Sequence, residues 1–168
     1  MTATVPTGRM TDDAPPGTVA FLIGMRVNRP TRLRSWLPVA TAMPRMLAEL
    51  AAAPELGLLS ARTFVSGRTV LVLQYWRSAA HLDRYARARD QAHLPAWREF
   101  NRRTRDNGDV GIYHETYVVG EHETVYVGMP ADFGLAGATA LVPLAGRGQR
   151  AAHRLDASVP DEAAVAPY

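Results

Sequence analysis

The chain has no cysteine, and all nineteen of its Lys/Arg residues are arginine. These two absences exclude a thiolate nucleophile, cysteine-ligated iron and a Schiff-base lysine. Any chemistry must fall to histidine, carboxylate, tyrosine or a bound cofactor. No GxGxxG follows a strand pattern, so the dinucleotide-binding fingerprint is missing. GxSxG is missing too, and with it the usual nucleophile elbow. The five histidines contain no HxxxH or HExxH spacing, which argues against zinc. No apolar run approaches the roughly 20 residues that span a bilayer, so no membrane partner is expected. Residues 1–17, MTATVPTGRMTDDAPPG, lack a hydrophobic signal core, and a cytoplasmic location is expected.

What is present fits one domain. The chain has 168 residues, of which 47% are apolar, enough for a real core. The net charge of +3 is mild. Seven arginines lie between Arg84 and Arg105, but Asp83, Asp90, Glu99 and Asp106 break up their field. That mixture reads as a solvated helical face rather than a nucleic-acid surface.

Residues 1–17 read as a flexible arm, 18–144 as the folded domain and 145–168 as a mobile tail with a short helix at best after Gly146. The segment 18–28 is a strand apolar on both faces, hence buried on both sides. Thr31 is the expected N-cap of a helix to about residue 53, bent or split by Pro38 and Pro44. Two strands, 58–66 and 68–76, flank a tight turn at Ser66-Gly67. Ser78 caps a helix over 79–89, and a further helix runs to about 105. The segment 110–119 is a strand, 124–129 a shorter one, and 139–142 an edge strand. The order β-α-β-β-α-β defines a ferredoxin-like α+β fold with two helices on one sheet face. The other face is also apolar and needs a cover, which a second copy of the chain would supply. A homodimeric α+β barrel is therefore expected.

The candidate site residues lie within HLPAWREFNRRTRDNGDVGIYHETY. His93, Trp97 and Phe100 fall at i, i+4 and i+7 on one helical face. His114 sits mid-strand, with Ile112 and Thr116 on its own face. His93 and His114 are the candidate bases or iron ligands, and Trp97 a cavity wall. His81, His122 and His153 read as a first-turn, a turn and a tail residue without chemistry. Arg26, at the exit of the first strand, is a candidate clamp for an anionic cofactor group or a polar substrate group. Trp36, Met43, Met46, Trp76, Trp97 and Phe100 are apolar candidates for pocket walls or core.

Several blocks in order carry a family resemblance: MRVNRPTRLRSWLPVATAMPRMLAEL, QYWRS, HLPAWREFNRR, GDVGIYHETY and VYVGMP. Over roughly residues 19–144 the chain resembles the monooxygenase-like family that includes the ABM-type enzyme of fumagillin biosynthesis. The resemblance implies a dimeric α+β barrel and oxidation of a small apolar natural product. The wider superfamily holds both haem enzymes and cofactor-free oxygenases, and fold alone does not choose between them. Haem bound by His114 or His93 is the first expectation. The alternatives are a cofactor-free oxygenase with a histidine base, a haem lyase of the aldoxime-dehydratase type, and a non-catalytic haem or metabolite binder.

Overall fold

The densest apolar alternation, VAFLIGMRV, becomes a central strand, β2 (Val19–Val27). In the computed structural model, which describes residues 4–88, Arg98, Phe100 and 107–162, the chain divides into two compact units. The larger is Gly17–Val118; the smaller joins Met1–Pro16 to Val119–Tyr168. No helix among the described residues is long and apolar enough to cross a membrane.

The larger unit adds to β2 the helix α1 (Leu33–Ala52), strands β3 (Leu58–Ser66) and β4 (Thr69–Trp76), helix α2 (Ala79–Arg87) and strand β5 (Val110–Val118). The sheet order is β3-β4-β2-β5, and every neighbouring pair is antiparallel. This is the ferredoxin-like α+β fold anticipated above. The register sets the two faces. Val19 pairs with Trp76 and Val118, Phe21 with Gln74 and Thr116, and Ile23 with Val72 and His114. Directly paired residues project to the same side, so these rows share one face. That face carries the core of Val19, Leu50, Trp76 and Tyr85, joined by Phe21, Leu56, Leu58 and Leu82. Helices α1 and α2 therefore cover it. On β4 the alternation is direct: Val72, Gln74 and Trp76 are buried, while Leu71, Leu73 and Tyr75 are half-buried on the other side.

Local signals account for most boundaries. The Ser78 hydroxyl accepts from the His81 backbone N–H and starts α2 as expected. Gly67, at φ 56°, opens the two-residue turn between β3 and β4. The start of α1 differs. The helix begins at Leu33 with no side-chain cap. Asp109, at the entry to β5, instead ties this end of the helix through side chains: its carboxylate accepts from the Ser35 hydroxyl at 2.7 Å and from the Arg29 guanidinium at 3.1 Å. A carboxylate is favourable at a helix N-terminus, where backbone N–H groups are unpaired. Helix α1 also runs unbroken through Pro38 and Pro44 rather than splitting in two.

The smaller unit corrects the expected arm. Residues 9–12, placed in a flexible arm, form strand β1 (Arg9–Asp12). It pairs with β6 (Tyr126–Val127) on one side and β7 (Leu141–Pro143) on the other. So the late strands do not extend the main sheet; they build a second, three-stranded one. Helices α3 (Gly134–Ala138) and α4 (Ala151–Leu155) belong to this unit, and α4 is a short helix of the kind expected after Gly146. Partners more than a hundred residues apart leave no local periodicity to read.

An ion pair organises this unit. The His122 imidazole donates from Nε2 to Asp12 Oδ2 at 3.0 Å and from Nδ1 to the Gly120 carbonyl at 2.7 Å. Both nitrogens face acceptors, an arrangement that the protonated ring satisfies in full. Thr124 donates to Asp12 Oδ1 at 2.6 Å, and the Ala14 N–H to Oδ2 at 2.8 Å. Burial pushes Asp12 up, but the bonds from Thr124, His122 and Ala14, and the His122 charge, outweigh it and hold the carboxyl below its ordinary 3.8. Burial likewise lowers His122, but the bonds to Asp12 and Gly120, and the Asp12 charge, raise it above its ordinary 6.5. A raised histidine stabilises fully below about 6.5 and is lost as pH rises through its folded value. A lowered aspartate stabilises above about 3.8 and is lost as pH falls through its folded value. Backbone amide exchange in the smaller unit should therefore be slowest between about pH 4 and 6.5, corrected for intrinsic rates. Protection should fall toward pH 9, and His122→Gln should flatten that alkaline loss. A profile unchanged by the substitution would contradict the assignment.

Candidate functional site

His114 lies at the middle of β5, which pairs only with β2. Its ring projects to the helix-covered face, the same face as Phe21 and Gln74. The imidazole is exposed and rests against Phe21, with centroids 5.8 Å apart and planes tilted by 41°. Among the described residues neither ring nitrogen has a hydrogen-bond partner. An imidazole on an apolar face with both nitrogens uncommitted can take a proton or ligate a metal.

Deeper on this face, on the far side of β2 and in the row next to that of His114, lies Gln74, with 4% of its surface exposed. Its Oε1 accepts from the Trp76 indole N–H at 2.9 Å, and its Nε2 points to the Met43 sulfur at 3.9 Å. Tyr85 packs beside Trp76 in the core, with ring centroids 5.7 Å apart. The Tyr85 hydroxyl donates to Glu49 at 2.9 Å. Burial, that bond and the Glu49 charge hold the phenol protonated far above its ordinary range. Tyr85 is thus a structural donor and not a base.

The other expected residues fall elsewhere. Arg26 pairs with Thr69 and Gly111, one residue out of phase with Ile23 and His114, so it projects to the opposite face. There it donates to the Thr69 hydroxyl at 3.0 Å. A strand alternates faces at every residue, so Arg26 and His114 cannot grip one ligand across the sheet. Trp36 donates from its indole to the Pro30 carbonyl at 3.0 Å beside the start of α1. His81 bonds the Ser78 hydroxyl, and His153 the Val159 carbonyl at 2.7 Å, as structural residues. His93 and Trp97 lie outside the described residues. Gln74, near the strand end where a sheet face often meets a pocket, was given no chemical role by sequence reasoning. Its signal was one amide inside the apolar run VLVLQYW.

A haem here would need an axial ligand and cations for its propionates. His114 offers the first; Arg26, the expected clamp, is on the wrong face. The residues expected for the group therefore fit it only in part: the ligand lies on this face and the clamp does not.

The fold and these residues define a ferredoxin-like α+β protein of monooxygenase-like type. Residues 18–135 match the family described as Monooxygenase af470-like, and the chain belongs to that family. Among solved structures, an aldoxime dehydratase aligns with a TM-score of 0.65 at 18% identity, covering 80% of this chain and 42% of that one. The aldoxime dehydratase OxdRE, co-crystallised with butyraldoxime, gives 0.64 at 18%, covering 79% and 40%. SnoaB, a cofactor-independent oxygenase from Streptomyces nogalater, gives 0.45 at 12%, covering 62% and 94%. This chain thus spans about two fifths of the length of the aldoxime dehydratases it matches. Their likeness at this identity establishes the fold. No curated protein sequence matches the chain.

Proposed function

We propose that this protein is an oxidative tailoring enzyme that takes a small apolar molecule against the helix-covered face of the sheet, with His114 as its base. The observation that carries this is the imidazole of His114 beside Phe21, with ring nitrogens that have no hydrogen-bond partner among the described residues. Neutral histidine removes a proton from an activated CH2, one flanked by a carbonyl or aromatic rings. The carbanion then reduces dioxygen. One oxygen atom enters as a carbonyl in place of the two hydrogens, which leave with the other as water. The substrate supplies all four electrons, so no external reductant is needed.

Anthrone is a suitable probe. Oxygen uptake and anthraquinone formation by colourless protein support the reading. A haem absorption band that appears on haem addition and is lost in His114→Ala overturns it in favour of a haem enzyme. Nitrile formed from butyraldoxime without oxygen uptake points to a lyase instead. Binding without turnover of either compound points to a carrier.

The opposite face supports a homodimer. None of the described helices of the larger unit covers it. It exposes Phe64 (42%), Tyr113 (39%) and Tyr117 (55%) around half-buried Leu71 and Leu73. An aromatic patch of this kind marks an interface more often than a free surface. Sedimentation should give a dimer, and Phe64→Glu should shift it to monomer. A monomeric wild type would sink the idea.

A further inference from the structure

We propose that Gln74 is the ligand-orienting hydrogen-bond donor of this site, and that its target is a carbonyl or phenolate oxygen on an otherwise apolar molecule. This rests on the reading of the helix-covered face as the binding surface.

The argument starts from the amide's orientation. The Trp76 indole is a donor only, so the Gln74 atom 2.9 Å from it must be the oxygen. A flipped amide would set two donors against each other. The NH2 group is thereby turned toward Met43. Satisfying the indole explains the oxygen but not the nitrogen. Two strong N–H donors are buried, and the only acceptor they meet among the described residues is a thioether sulfur at 3.9 Å, a weak one. A buried amide donor so poorly served costs free energy that an apolar residue would not. An incoming carbonyl or phenolate oxygen would supply the missing acceptor.

Met43 is a displaceable placeholder for that oxygen. Its side chain is half-buried, unbranched and readily repacked. The next residue, Pro44, has no N–H, so the Ala40 carbonyl lacks its helical partner. The turn of α1 that carries Met43 is one hydrogen bond short and yields more easily than its neighbours. Gln74 and His114 flank Phe21 on the same face. A flat ligand stacked over Phe21 would present its oxygen to Gln74 at one end and its acidic carbon to His114 at the other.

Two probes of equal shape test this: 2-acetylnaphthalene, with a carbonyl oxygen, and 2-isopropenylnaphthalene, with a CH2 in its place. Calorimetry should show wild type binding the ketone about tenfold more tightly, the worth of one good hydrogen bond. Gln74→Met should bind both equally, at the hydrocarbon's affinity. Ketone preference that survives in Gln74→Met overturns the proposal, and so does wild type without preference; both leave the apolar site standing. Failure of both probes to bind wild type overturns the binding-surface reading and this proposal with it. Should Gln74→Met not fold, the side-chain amide resonance of Gln74 in wild type decides. It should move downfield with the ketone and not with the hydrocarbon; no movement overturns the assignment.

Discussion

His114→Ala should lower kcat by about 10²–10⁴-fold, the usual worth of a general base. The same substitution should leave stability within about 0.5 kcal/mol of wild type, because the ring is exposed and its only described ring contact is with Phe21. That combination separates a reacting group from a packing one. His114→Gln is the sharper variant: it preserves polarity and approximate size but cannot accept a proton at neutral pH. It should be as inactive as the alanine. Turnover of anthrone within threefold of wild type in both variants would end the case for His114. A matched loss of stability and activity would instead return the residue to the core.

Trp76→Ala should have the largest effect on stability. Trp76 is 1% exposed and packs in one cluster with Val19, Leu50 and Tyr85. Truncating a buried tryptophan costs about 3–5 kcal/mol through lost transfer free energy and the cavity left behind. The Gln74 oxygen also loses its indole donor, a further cost of about 1–3 kcal/mol. Against a typical total of about 5–15 kcal/mol, the larger unit would be marginal or unfolded at 37 °C. Denaturant unfolding of the variant measures this. Trp76→Phe should fall between, keeping most of the ring burial but not the N–H. If Trp76→Ala loses less than about 1 kcal/mol, the cluster is not the core of the unit.

The larger unit was legible because its signals are local. Apolar density marked β2, the β-prone run VLVLQYW marked β4, Gly67 marked the hairpin of β3 and β4, and Ser78 marked the start of α2. Pro38 and Pro44 misled. Each removes one hydrogen bond, yet the apolar face of α1, buried at Met46 and Leu50, holds the helix together. Arg26 misled for another reason. Its strand and its neighbours were read correctly, but a side chain's usefulness depends on the face that the register gives it.

The sequence by itself determined the ferredoxin-like order of elements, the family and the candidacy of His114, since these rest on spacing and composition within short windows. Only the tertiary structure decided the rest. It put Arg26 and His114 on opposite faces, fixed the Gln74 amide against Trp76, and brought Asp12 to His122 across 110 residues. It also made strand β1 out of a segment that looked like a loose arm. Pairing between distant strands depends on which groups are left without partners once the whole chain has packed, and no local window contains that information.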